Sequence, residues 1–380
     1  MLLTDKHIMI IGGGPGGLTL ARLLQQHHVN VTVYERDHDE HARVQGGTLD
    51  LHDESGLAAL RQAGLIDTFM NAYRPGADRL CITDQHASVL LREDERESGD
   101  LFRPEIDRGP LRKLLLNSLP PGTVQWNRQV VSMTAIDNGW QLRFQDGSSA
   151  QGDLVIAADG ANSKIRPFLT SVDPFYSGIT VVEGTVYNAA AETPAIHELL
   201  NGGKIFAFGD SKSLIVSSKG DGSLTFYTGS HHDESWYRTN GPDFSNREQV
   251  LDWFAREFAG WSPVWRELLE RASLPLMPRP QYCMPLDQHW DTQPNLTLIG
   301  DAAHLMPPYA GEGVNMAMLD ALDLSTALLS PDYADLPTAI ATYESQMLAR
   351  FAEIGQITLD QTASLHSPTA LSDMLAMLGQ

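Results

Sequence analysis

The stretch GDAAHLMPPYAGEGVN, residues 300–315, sets an acid, two glycines and an amide between an apolar run and the apolar segment VNMAMLDALDLSTALL. Asp301 closes the run PNLTLIG, so its carboxylate stands at a strand end as a hydrogen-bond acceptor. Gly311 and Gly313 strip side chains from the turn before a helix, whose first N–H groups have no intrahelical partner. An acceptor on one side and bare donors on the other suit a ligand that lies against backbone. Pro307, Pro308 and Asn315 would shape the wall around it. His304 could be read as a base, but a turn beside a strand need not expose it, and a structural role is expected.

Two further groupings tell what that ligand is. The run HIMII, residues 7–11, meets a glycine-rich turn and then LTLARLLQQ, which has helical apolar spacing. Gly12, Gly14 and Gly17 satisfy GxGxxG: one glycine for the turn, one for approach to a pyrophosphate, one for helix–strand packing. A second strand, VNVTVYERD over residues 29–37, presents Glu35, with Arg36 beside it, where an acid would accept hydrogen bonds from an adenosine ribose. Farther on, DLVIAADGANSKIR reads as a buried strand followed by Asp159, Ser163 and Arg166. Each piece alone could be a plain structural turn, but their combination points to a bound dinucleotide.

The motifs GxGxxG, DGxxSxxR and GDAAHxxPPxxGxGxN, in this order, resemble those of the single-component FAD-dependent aromatic hydroxylases. Within that group the chain is most similar to the tetracycline-inactivating flavin monooxygenases of the TetX type, through LLQQ, VYERD, ARVQGGTLDLH, PEIDRGPLR, LLNSL and the 300–315 stretch. The resemblance implies that Asp301 meets the ribityl hydroxyls and that backbone at Gly311 and Gly313 meets the pyrimidine edge of the flavin. Asp50 and Arg108 become further FAD contacts, and Arg43 the residue that meets NADPH. It implies a reaction in which NADPH reduces FAD and one oxygen of O2 passes, through a flavin C4a-hydroperoxide, to a polycyclic or phenolic substrate, with tetracycline one candidate. Those enzymes recognise their drug with a glutamine, an arginine and a histidine; the matching positions here are Glu183, Lys204 and Thr225, so every polar recogniser has changed. A flavin oxidase or dehydrogenase on the same scaffold, or a non-catalytic flavin-binding member, stays open.

The implied fold class is α/β. A Rossmann-like FAD-binding domain of the aromatic hydroxylase type would stand beside a mostly antiparallel β-sheet substrate domain, with a long C-terminal helix bracing them. Residues 1–70, 90–170 and 278–315 are assigned to the first domain, 71–89 and 171–277 to the second, and 316–380 to C-terminal helices. In the second domain GITVVEGTVY, KIFAFG, SLIVSS and SLTFYTGS read as strands, with a hairpin at KGDG, and residues 246–272 as amphipathic helix. Ile340, Tyr343, Met347, Phe351 and Ile354 form one apolar helical face, and the last segment reads as a short lid helix or a frayed end.

The 380 residues suit two domains. A formal charge of -21 argues against nucleic acid and anionic membranes as partners, and a small molecule is expected instead. Cys81 and Cys283 make no CxxC and are expected to be packing residues in a reducing compartment. No apolar run reaches membrane-helix length and no basic leader opens the chain, so a cytoplasmic monomer is expected. No HExxH, G-x-S-x-G or metal-spaced Cys/His cluster occurs, and the pairs His27-His28 and His231-His232 are expected in loops or on the surface.

Overall fold

The computed structural model describes residues 2–42, 46–93 and 103–379, and among these seventeen strands form four sheets. A parallel sheet holds β1 (His7–Ile11), β2 (Asn30–Tyr34), β7 (Val124–Gln125), β11 (Leu154–Ala157) and β17 (Leu296–Leu298) in the order β17-β11-β1-β2-β7. Its strands β11 and β17 are nearly continuous apolar runs because both faces are covered, even though β17 is an edge strand: all of Leu154–Ala157 and Leu296–Leu298 is buried. The Pro15–Gln25 helix joins β1 to β2 and packs against the Gly313–Leu329 helix. A three-stranded meander, β8 (Val130–Ile136), β9 (Gly139–Phe144) and β10 (Ser149–Gly152), fills the excursion between β7 and β11. The short ribbon of β3 (Thr48–Asp50) and β6 (Glu105–Asp107) lies between this sheet and the next.

The fourth sheet runs β16-β12-β15-β14-β13-β4-β5: β4 (Leu80–Asp84), β5 (Val89–Glu93), β12 (Phe175–Val186), β13 (Lys204–Gly209), β14 (Lys212–Ser218), β15 (Leu224–His231) and β16 (Met277–Cys283). It is antiparallel except where β13 meets β4. Strand alternation gives it two chemical faces. Val182, Val186, Ile205, Ala207, Leu214, Val216, Leu224 and Phe226 pack with Trp265 and other residues from three helices, Pro194–Leu200, Arg247–Glu257 and Pro263–Arg271. Burying Trp265 or Phe226 completely is worth about 2–3 kcal/mol each. The opposite face carries Glu183, Tyr227, Ser213, Ser217, Thr225 and Lys204, and it looks toward the parallel-sheet domain.

Two expectations change, and an alternative left open at the C-terminus is decided. Residues 246–272 form two helices, because the chain breaks at Phe258–Ser262 with Gly260 at φ +86 and Pro263 opening the second helix. The seams expected at 89/90 and 277/278 would cut β5 and β16, which both hydrogen-bond into the seven-stranded sheet. β16 pairs with the distant β12 and leaves no local mark, whereas β5 closes a local hairpin with β4 that the seam at 89/90 overlooks. The C-terminal segment is a helix, Ala370–Met377, packed against Ile82, Phe208 and Leu365. The long Leu336–Leu365 helix starts at an Asp335 cap and buries Ile340, Tyr343, Met347 and Phe351; Tyr343 donates to Leu298 O at 3.0 Å, which fastens it to β17.

Candidate functional site

The glycine turn after β1 is forced by contact. Gly12 has φ +114, and a Cβ there would sit 2.2 Å from Ala158 O; a Cβ on Gly17 would sit 2.2 Å from Gly12 O. Gly14 differs, since a Cβ on it would meet no protein atom within 4 Å. Its bareness serves the approach of something other than protein. No side chain caps the helix that Gly14 introduces, so the first-turn N–H groups are offered outward. Glu35 is buried at the tip of β2, where its carboxylate accepts from Gly13 N–H at 2.6 Å and Asp37 N–H at 2.9 Å. Arg36 is exposed.

The second and third motifs are bolted together. Asp159 follows β11 and accepts from Lys164 N–H at 2.8 Å through Oδ2, while its buried Oδ1 has no partner; burial raises its pKa. Ser163 Oγ accepts from the N–H groups of Ile165 and Arg166. Arg166 then donates to the carbonyls of Ala302 at 2.7 Å, Asp301 at 2.9 Å and Ala161 at 3.0 Å. The Asp301–His304 helical turn is held from behind in the same way: the Asp320 carboxylate accepts from Gly300 N–H at 2.8 Å, pairs with His304 Nε2 at 2.6 Å, and is met by Arg350 at 2.9 Å. His304 is buried and stacked on Phe351, a setting in keeping with a structural role. Asp301 itself makes no side-chain hydrogen bond among the described residues and is open to solvent on one side. Protein crowding on its other sides pushes its carboxyl up, against the pull of His304, Arg108 and Arg166.

Beyond the short Pro308–Ala310 turn, where Pro308 is exposed, Gly311 takes a left-handed φ of +72. Gly313 begins the next helix with no side-chain cap, and a Cβ on it meets nothing within 4 Å. Asn315 is fully buried: Oδ1 accepts from His52 N–H at 2.9 Å, and Nδ2 donates to Asp50 O at 2.9 Å and Gly311 O at 3.3 Å. It therefore ties the loop after β3 to the glycine turn. In that loop Asp50 and Glu312 flank the buried His52 at 3.1 and 3.4 Å. Burial alone would lower the His52 pKa, but the two carboxylates outweigh it and raise it to about 9.

Arg108 opens the Arg108–Asn117 helix with its stem under Gly46, where a Cβ would lie 2.5 Å from its Cδ. Its charge acts on both Asp301 and Tyr227. Tyr227 on β15 accepts from Gly47 N–H at 2.9 Å, which joins the seven-stranded sheet to this corner. Of the residues expected to meet substrate, Glu183 lies across from Tyr227 and pairs with Arg279 of β16. Thr225, one register row away, is fully buried. Lys204 is on the same face but reaches Glu105 at 2.5 Å. Arg43 lies outside the described residues.

Sequence reasoning missed Arg112, His52, Arg279, Glu312, Tyr227 and Asp320. Arg112 follows Arg108 by one helical turn and donates to Gly13 O and Asp37, with its buried NH1 unpartnered. That spacing was a usable signal; strand pairing, which brings Tyr227 and Arg279 in, was not. The bare Gly14 and Gly313, the orphaned Asp159 Oδ1 and Arg112 NH1, and the open Asp301 fit an extended ligand with an anionic middle and hydroxyls, as FAD has. Among the described residues no cluster of three or more His, Cys, Asp or Glu could hold a metal, and no helix is long and apolar enough to cross a membrane.

A family described as "FAD binding domain" matches residues 5–356 of the chain. The monooxygenase asqM of Emericella nidulans is 32% identical, over 86% of this chain and 84% of its own. The 6-hydroxynicotinate 3-monooxygenase of Bordetella bronchiseptica is 26% identical over 93% and 92%. Among solved structures, Klebsiella pneumoniae HpxO complexed with FAD and uric acid superposes with a TM-score of 0.78 at 22% identity, covering 98% of this chain and 92% of that one. Tetracycline destructase Tet(51) does so with a TM-score of 0.71 at 17%, covering 97% and 94%. The glycine turn, the paired Asp159 and Asp301 loops and the two-sheet fold thus belong to a known pattern: this chain is a member of that FAD-binding family, an FAD-dependent monooxygenase of the aromatic hydroxylase type.

Proposed function

We propose that the protein uses NADPH and O2 to add one oxygen to a polycyclic or phenolic small molecule held between the Asp301–Gly313 corner and the polar face of the seven-stranded sheet. The observation that carries this reading is the meeting of those parts: Tyr227 of the sheet accepts from Gly47 N–H, and the Arg108 charge acts on both Tyr227 and Asp301. Bound FAD would supply the redox and oxygen chemistry that no side chain here can. The chain's own share is positioning. Asp301 would accept hydroxyl hydrogen bonds, the first-turn N–H groups at Gly313 would favour negative charge on the facing ring edge, and Arg108 would add to that field. The sheet would orient substrate and keep water out. Arg43 is proposed as the NADPH contact on family resemblance.

Tetracycline is supported by the TetX-like motifs and by the likeness to Tet(51), while the relatives more similar in sequence have other names. With Lys204 held by Glu105 and Thr225 enclosed, only Glu183 of the three matching positions remains on this face to meet a substrate. The test is to incubate FAD-loaded protein with NADPH, O2 and a panel of tetracycline, phenols and hydroxylated heteroarenes, following NADPH oxidation and product mass together. Substrate-dependent oxidation with a gain of one oxygen is expected for at least one phenolic or heteroaromatic member. Flavin that NADPH does not reduce with any member would overturn the proposal. Asp301→Ala should lower the yellow absorbance of purified protein, with FAD held roughly 10- to 100-fold more weakly, the loss of one charge-assisted hydrogen-bond acceptor.

A further inference from the structure

Glu183 and Arg279 form a pair whose free atoms define a recognition pattern. In the β12–β16 register Val181 faces Arg279 and Glu183 faces Met277, so the two charged side chains are diagonal neighbours on the polar face. Arg279 Nε donates to Glu183 Oε2. Among the described residues nothing donates to Glu183 Oε1, and the terminal nitrogens of Arg279 have no partner. Glu183 is buried while the Arg279 side chain is 45% exposed, so the pair is rooted in the sheet and open at its guanidinium end. The row continues to Tyr227, whose hydroxyl already accepts from Gly47 N–H and retains its own hydrogen to donate. Burial first, and then the Glu183 charge, push that phenol up to about 12, so it stays a donor.

We propose that Glu183 and Arg279, with Tyr227 beside them, recognise the edge of a heteroaromatic lactam: a ring N–H donated to Glu183 Oε1 and the adjacent C=O accepting from the Arg279 guanidinium. This rests on the monooxygenase reading of the same site. The charges decide the class. A substrate carboxylate could reach the Arg279 guanidinium only against repulsion from Glu183 beside it, and an ammonium could reach Glu183 only against repulsion from Arg279, whereas a neutral donor–acceptor edge satisfies both members of the pair. A phenol ortho to a carbonyl offers the same two groups but bonds them to each other, so it gains less from the pair. The same argument disfavours the internally bonded enol systems of tetracyclines.

The test measures binding without turnover. FAD-loaded protein is titrated with 2-quinolinone, N-methyl-2-quinolinone and quinoline-2-carboxylate, following perturbation of the flavin absorption band. The free lactam is expected to bind at least tenfold more tightly than its N-methyl analogue and than the carboxylate. Glu183→Leu should bring the lactam/N-methyl ratio close to one, because it removes the acceptor for the ring N–H, and Arg279→Gln should weaken both lactams several-fold, because it removes the guanidinium from their shared C=O, in each case with flavin content kept. The Arg279 side chain is 45% exposed and the glutamine amide can still donate to Glu183, so this variant is expected to fold even if Glu183→Leu does not. Equal binding of the two lactams, preference for the carboxylate, no perturbation by any of the three, or unweakened lactam binding in Arg279→Gln would overturn the proposal. If NADPH still reduces the flavin in such a protein, only the lactam assignment falls; if the protein holds no FAD, the monooxygenase site falls with it.

Discussion

His52 shows how far a single side chain here depends on its neighbours. Buried between Asp50 and Glu312, it titrates near 9 in the folded protein, whereas an unfolded histidine titrates near 6.5. Folding therefore favours the protonated ring. The stabilisation is complete below about pH 6.5 and is lost as pH rises toward 9. Arg103 and Lys204 also act on Asp50, and both flanking carboxylates are partly solvated, so the contribution is about 1–3 kcal/mol. Urea unfolding at pH 6 and pH 9.5 should show this decline, and His52→Gln should flatten it; an equal decline in the variant would remove His52 as its source. Asp50 complements the pair, since His52 and Lys204 hold its carboxyl below the usual value despite burial. Cys283 is the opposite case, a buried thiol raised to about 11 and therefore inert, as expected for a packing cysteine.

Among elements, the strand-end loops matter more than the strands. β11 and β17 lie side by side in the parallel sheet, so the loops that follow them emerge together, and Arg166 spans the gap to the carbonyls of Asp301 and Ala302 while also holding Ala161 of its own loop. Arg166→Met fills the space but leaves buried acceptors unpaired. A loss of about 2–4 kcal/mol in urea unfolding is expected, together with faster flavin release, because the Asp301 backbone would be freed. Unchanged flavin release would mean that the Asp301 turn is held sufficiently by Asp320. The break at Phe258–Ser262 has an equally local cause in Gly260 and Pro263. The apolar pattern on either side of them was read correctly as helix, and the break was missed because the pattern continues through it.

Across the whole molecule, the two large sheets are joined through the β3–β6 ribbon, and Lys204 makes that connection by reaching Glu105, which is only 4% exposed. Burial already raises the Glu105 pKa against the pull of Lys204, so removing the lysine would strand a carboxyl. Lys204→Met should cost about 2–4 kcal/mol. Adding Glu105→Leu should recover most of that loss in thermal unfolding; no recovery would show that Lys204 acts elsewhere, as in the substrate contact first expected of it. The sequence by itself determined the FAD-binding half, because GxGxxG, the Asp159 and Asp301 turns and Gly311–Gly313 are local signals whose spacing follows from chain geometry. It also determined the strands of the second sheet and the buried face of the long helix, through periodicity. Only the tertiary structure decided that Glu183 meets Arg279 and Tyr227, that Lys204 is spent on Glu105, that Asn315 serves the loop at Asp50, and that β5 and β16 extend the sheet. Except for β5, which closes a local hairpin with β4, those are pairings between residues distant in the chain, set by strand register and burial, and no local pattern encodes which distant partner a polar side chain will find.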